Sequence, residues 1–77
     1  MQMVHPLSAR AQTWLDEIFS AKAVAKGGIV RRAVRDVDRE IGRTSLMREV
    51  RLRGFHLVEC GGQYIIICNA GHMQVLC

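Results

Sequence analysis

GGIVRRAVRDVDREIGRTSLMREVRLRG, residues 27–54, decides the fold of this chain. Val34, Val37 and Ile41 recur at helical spacing with Arg35 and Arg39 on the opposite side of the wheel, so an amphipathic helix is expected from at least Val34 to Ile41. Residues 29–33 admit two readings. Val30 continues the apolar stripe of that helix, whereas IVRRAV is a β-branched run behind a glycine pair and reads equally as a short strand, with the helix then starting near Asp36 as N-cap. Gly42 interrupts the helical pattern. Beyond it Thr44 or Ser45 is expected to cap a further helix that turns Leu46, Met47 and Val50 inward and stops at Gly54. Two short helices joined by a tight turn carry most of the charge.

That charge is concentrated. The whole chain has a formal net charge of +4, and the stretch 31–53 accounts for all of it: Arg31, Arg32, Arg35, Arg39, Arg43, Arg48, Arg51 and Arg53 stand against Asp36, Asp38, Glu40 and Glu49, eight minus four. Every cation there is arginine, whose planar fork suits phosphate and carboxylate oxygens. The eight arginines are therefore the candidate partner-binding residues, for nucleic acid or for an acidic protein surface. Aromatic side chains are nearly absent among them, so base stacking is not implied.

Outward from this stretch, Ala11, Trp14, Leu15, Ile18, Ala21 and Ala25 keep helical spacing after Ser8 and predict a first helix over 8–26, ended by Gly27-Gly28. Residues 1–7, up to the single proline and Leu7, read as a loose arm. After Gly54 the apolar period falls to two: FHLVE and QYIIIC flank Cys60-Gly61-Gly62 as a hairpin, and MQVLC reads as a last strand. Residues 64–68 alternate apolar on both faces, which predicts a central strand covered on both sides. The expected fold is one α+β domain over 1–77, mainly helical over 8–53 and a three-stranded antiparallel meander over 55–77. Its last strand would be an open edge suited to homodimerisation.

DREIGRTSLMREVRLRG followed by FHLVECGGQYIIIC, residues 38–68, resembles the winged helix-turn-helix family, in which the second helix of the pair enters the major groove and the hairpin is the wing. Counted from Gly42 as the turn glycine, the chain departs from that motif: Asp38 takes a small apolar slot, and Arg48 and Arg51 fall where buried aliphatics are usual. VRRAVRDVDREIGR with EVRLRGFHLVECGGQYIIIC also looks like a set of short orphan proteins of alphaproteobacteria and their mobile elements. Some of these carry the label phosphoribosylanthranilate isomerase, a (β/α)8 barrel about three times too long for this chain. In size and character the sequence is similar to phage anti-CRISPR proteins, including those against type I effector complexes. That likeness implies a small non-catalytic inhibitor or regulator that blocks a nucleic-acid-guided effector, a ribonucleoprotein, by occlusion. A DNA mimic would be acidic, so a basic chain would grip nucleic acid or an acidic patch through its arginines. The winged-helix likeness implies instead a DNA-binding transcriptional regulator.

No other chemistry is carried. Cys60, Cys68, His72 and Cys77 have seven, three and four residues between them, which matches no common structural zinc spacing, and three cysteines without a CxxC pair read as reduced thiols. His56 and Glu59 lie three apart on one expected strand and so face opposite ways. No enzyme, metal or cofactor is expected. The longest apolar run, Tyr64–Cys68, is too short for a membrane span, and a cytoplasmic location is expected.

Overall fold

The computed structural model describes residues 7–77 and makes the ambiguous stretch a strand. In chain order the elements are α1 (Ala9–Phe19), α2 (Lys22–Ala25), β1 (Ile29–Ala33), α3 (Val34–Glu40), α4 (Arg43–Leu52), β2 (His56–Cys60) and β3 (Gln63–Ile67). The chain is α+β, and its one sheet is three-stranded and antiparallel in the order β1-β3-β2. The expected arm lies mostly outside the described residues; Leu7 is partly buried against the core.

Tertiary pairing decides residues 29–33. Val30 lies opposite Ile66 and Arg32 opposite Tyr64, so β1 closes the second edge of β3 and buries Val30 to 4% exposure. A helix here would bury Val30 too but leave β3 with an unpaired edge. The same pairing corrects the expected meander. With β1 and β2 on both sides of β3, MQVLC has no central edge to join, and residues 69–77 form no strand. The Asn69 side chain accepts the Gly71 amide at 2.6 Å, an Asx turn that deflects the chain, and the Gly71 carbonyl then lies 2.6 Å from Nε2 of His56. Val75 and Leu76 stay 78% and 84% exposed. The open edges are β1 and β2, so the homodimer expected through MQVLC has no strand there to use.

All the helices pack on one face of the sheet. Tyr64, Ile66 and Cys68 are buried there with Ile18, Val37, Leu46 and Val50, while Ile65 and Ile67 on the other face are only partly covered. β3 is thus central as expected but fully covered on one side alone. The first helix is shorter than its periodicity suggests. Ser20 caps α1 through its N–H to the Asp16 carbonyl and its hydroxyl to the Glu17 carbonyl, and Ala21 is extended at ψ 147°. The break lets Ala21, Ala23 and Val24 reach the core, and the Ala23 carbonyl accepts the Gly28 amide at 2.7 Å. Among the described residues no helix is long and apolar enough to cross a membrane.

Two capping expectations are corrected. α3 begins at Val34, not near Asp36; Val34 donates its N–H to the Gly62 carbonyl at 2.9 Å, which ties the hairpin tip to the start of α3, and Asp36 sits in the first turn. α4 begins directly at Arg43 with Gly42 as its cap residue, ahead of Thr44 and Ser45. The Val37 carbonyl accepts both the Ile41 and Gly42 amides, so the turn between the helices is only two residues long. Gly42 makes it possible at φ 86°, ψ 150°, a region nearly closed to residues with a Cβ. A Cβ there would meet nothing within 4 Å. Gly42→Ala is accordingly expected to cost about 1–3 kcal/mol from backbone strain alone, read from urea denaturation; a loss below about 0.5 kcal/mol would contradict this turn geometry.

Candidate functional site

Helical spacing sorts the arginines before any contact is considered. On α4, Leu46 and Val50 are buried, which turns Thr44, Met47, Arg48 and Arg51 to the outside. Leu46 and Val50 take the core positions, and Arg48 and Arg51, which the winged helix-turn-helix likeness would set in buried aliphatic slots, are exposed. Asp38 is likewise no core residue but an exposed hydrogen-bond partner of Tyr64. On α3, Val37 is fully buried and Arg35 and Arg39 share the outer face. On β1, Arg32 shares the helix-covered face with Val30 and Tyr64, and Arg31 stands on the opposite face beside Ile65.

Three of the eight are engaged by the chain's own carboxylates. Arg39 pairs with Asp36 at 3.2 Å and Glu40 at 3.4 Å. Arg53 pairs with Glu49 at 3.1 Å and lies over the Phe19 ring at 4.3 Å from its centroid, so it folds back onto the core. Arg43 pairs with Glu59 and donates from Nε to the Tyr64 hydroxyl at 3.0 Å, and that hydroxyl donates to Asp38 at 2.8 Å. Arg31, Arg32, Arg35, Arg48 and Arg51 make no ion pair among the described residues. Of these, Arg32 donates to the Arg31 carbonyl at 2.7 Å. The expected surface of eight is therefore one outward pair on α4, one free arginine on α3, two on β1, and three committed to architecture.

Sequence reading missed two parts of this arrangement. Arg10 on α1 holds the nearly buried Glu40 carboxylate through two contacts, at 2.6 and 2.7 Å, so one of the acids that balances the basic stretch is drawn away to another helix. The chain Asp38–Tyr64–Arg43–Glu59 joins α3, α4, β3 and β2. Its links span 26, 21 and 16 residues, and only the pairing of β2 with β3, which sets Glu59 opposite Tyr64, brings them together. No local signal announces either.

The network ties the two helices to the hairpin. Arg43 is held more firmly protonated than a free guanidinium, first by its hydrogen bond to Tyr64 and then by Glu59. Burial pushes the Tyr64 phenol above the ordinary tyrosine value of 10.0; the Arg43 hydrogen bond opposes this and the bond to Asp38 reinforces it. Because the folded value is raised, the stabilisation is complete below about pH 10 and is lost as pH climbs through the folded value. Tyr64→Phe is expected to lose about 1 kcal/mol at pH 7 and to decline less than the parent chain between pH 9.5 and 11, in parallel urea titrations. Identical alkaline slopes would show that Tyr64 is not the titrating group.

The thiols and histidines do not converge. Burial pushes the Cys68 thiol up, leaving a protonated core side chain, while Cys60 and Cys77 are exposed. His56 lies opposite Ile67 and Glu59 opposite Tyr64, hence on different faces. Among the described residues no three His, Cys, Asp or Glu side chains gather where a metal ion could sit. The chain matches no protein-family model, no curated protein and no solved structure.

Proposed function

We propose that this chain is a non-catalytic nucleic-acid-binding protein of winged-helix type, and that it docks the outward face of α4 in the major groove of duplex DNA. The observation that carries the reading is Thr44, Arg48 and Arg51 on one side of a helix that follows a two-residue turn, with neither arginine tied to a carboxylate. The element order supports it: α1 and the one-turn α2, a strand, helix–turn–helix and hairpin, with the first strand paired to the last, resembles the arrangement in which the second helix of the pair reads the groove and the hairpin serves as the wing. Arg48 and Arg51 have the chemistry to donate bidentately to the O6 and N7 of a guanine edge, and Thr44 to meet a phosphate or a base edge. Arg35, on the outer face of α3, is assigned to the phosphate backbone. The Glu59 carboxylate is neutralised by Arg43, which lowers repulsion near the hairpin.

A second reading, an inhibitor that occludes a nucleic-acid-guided effector, rests on the same basic surface. One observation favours it: Arg31 is exposed on the sheet face away from the helices, outside any footprint centred on α4. Binding to random and genomic duplex DNA at 50 and 200 mM salt separates the two. Roughly three to five phosphate contacts lower affinity by about 40- to 500-fold over that range. Sequence-selective binding with this salt dependence supports the regulator. Weak, unselective binding removes it and leaves occlusion, and no binding at either salt removes the regulator and points to an acidic protein surface as the partner.

A further inference from the structure

β2 is an edge strand, and its free backbone can be located from one hydrogen bond. The Cys68 amide donates to the Gly28 carbonyl at 2.8 Å, which extends the ladder in which Ile29 faces Ile67. Since a strand turns its amides alternately to either side, Tyr64, Ile66 and Cys68 point theirs toward β1, and Ile65 and Ile67 point theirs toward Val58 and His56 of β2. The N–H and C=O groups of Leu57 and Glu59 are therefore turned away from the sheet, toward the open edge.

That edge faces a groove of about 420 Å³ between β2 and α4. His56–Glu59 all line it, four consecutive residues whose side chains alternate between sheet faces, so the strand's edge is what the groove presents. Met47, Val50 and Arg51 of α4 line it from the other side, and Met73 lines it too. Of the two arginines on the groove, Arg43 is held by Glu59, whereas Arg51 is exposed and makes no ion pair among the described residues. The groove thus offers strand-pairing groups, apolar side chains and one uncompensated positive charge.

We propose that this groove captures an extended segment of a partner protein in which apolar and acidic side chains alternate. The segment joins the sheet as a fourth strand on β2. Its backbone pairs with Leu57 and Glu59, the acidic row faces α4 so that a carboxylate meets Arg51, and the apolar row faces the other side of the sheet beside Val58. This docking does not depend on the duplex reading. Because Arg51 belongs to both surfaces, the two partners compete for it.

The test uses the full chain and a fluorescein-labelled hexapeptide Glu-Leu-Glu-Val-Glu-Leu followed by anisotropy and by amide chemical shifts, with duplex DNA in a separate titration. Saturable binding with shifts at the Leu57 and Glu59 amides is expected. N-methylation of alternate peptide amides, which removes about two backbone hydrogen bonds and leaves every side chain in place, should weaken binding at least about tenfold. Lysine in place of each glutamate should weaken it by a similar factor, and Arg51→Gln by about fivefold. Equal binding of the N-methylated peptide overturns strand addition, and equal binding of the lysine peptide overturns the role of charge. Dimerisation that broadens the Leu57 and Glu59 amides without peptide assigns the edge to a second copy and overturns the proposal. So do shifts at those amides with duplex DNA but not with peptide.

Discussion

Replacing Arg48 and Arg51 together by glutamate is expected to lower affinity for duplex DNA by at least about 100-fold while leaving the unfolding midpoint nearly unchanged. Each arginine in a bidentate base contact contributes about 1–3 kcal/mol of recognition, and reversal adds repulsion from the phosphates. The fold is spared because both side chains are exposed on α4 and neither takes part in an ion pair among the described residues. Charge alone does not predict this selectivity. Arg31→Glu makes half that charge change, at the sheet face away from the helices, and is expected to weaken binding less than about threefold, well short of half the pair's effect in free energy. Arg53→Glu acts differently again: it removes a cation from the Phe19 ring and sets two acids side by side with Glu49, so its main effect falls on stability. Fluorescence anisotropy at fixed salt, with thermal melts of each variant, reads all three. Equal losses for Arg31→Glu and for the α4 pair would mean that the chain binds through diffuse charge and that α4 has no privileged place.

Leu46→Ala is expected to remove about 2–5 kcal/mol, the largest stability effect of any single change considered. Leu46 is fully buried on α4 and packs in the cluster with Val37, Tyr64 and Ile66. A chain of this size has only about 4–11 kcal/mol of folding free energy in total. The variant should melt lower by about 10–30 °C, and at the low end of that range of stabilities it would not fold. Met47→Ala, one residue along and 40% exposed, should cost less than about 1 kcal/mol. This contrast tests the register of α4. If Met47→Ala were the more damaging change, the helix would be rotated and the outward face assigned to Arg48 and Arg51 would be wrong.

The comparison of expectation with structure turns on how far apart the deciding residues are. Val34, Val37 and Ile41 announce α3, and Cys60-Gly61-Gly62 announces the hairpin, because spacing and turn chemistry are local. Residues 29–33 remain open on local grounds, since β-branched residues and helical spacing conflict there; the edge of β3, more than thirty residues later in the chain, chooses the strand. The same choice displaces MQVLC, whose alternating apolar pattern is genuine but finds the sheet already complete. The break at Ser20 and Ala21 is hidden because alanine-rich sequence continues through it.

The site divides in the same way. That Arg48 and Arg51 project from one side of a helix is legible from the Leu46 and Val50 positions. Which arginines are free is not. Arg43 has the same composition signal as Arg48, but Glu59 and Tyr64 reach it from the hairpin. Arg39 and Arg53 have carboxylates at i−3, i+1 and i−4, spacings visible in the sequence, yet exposed pairs of that kind form or not according to packing that local spacing does not report.

Amide and arginine side-chain chemical shifts of the full chain, followed as duplex DNA is added, test the central claim most directly. Docking through α4 predicts the largest shifts at Thr44, Arg48 and Arg51 and at the Gly61-Gly62 hairpin tip, smaller ones at Arg35, and almost none at Arg53. Shifts concentrated at Arg31 and the outer sheet face, with α4 unmoved, would contradict it.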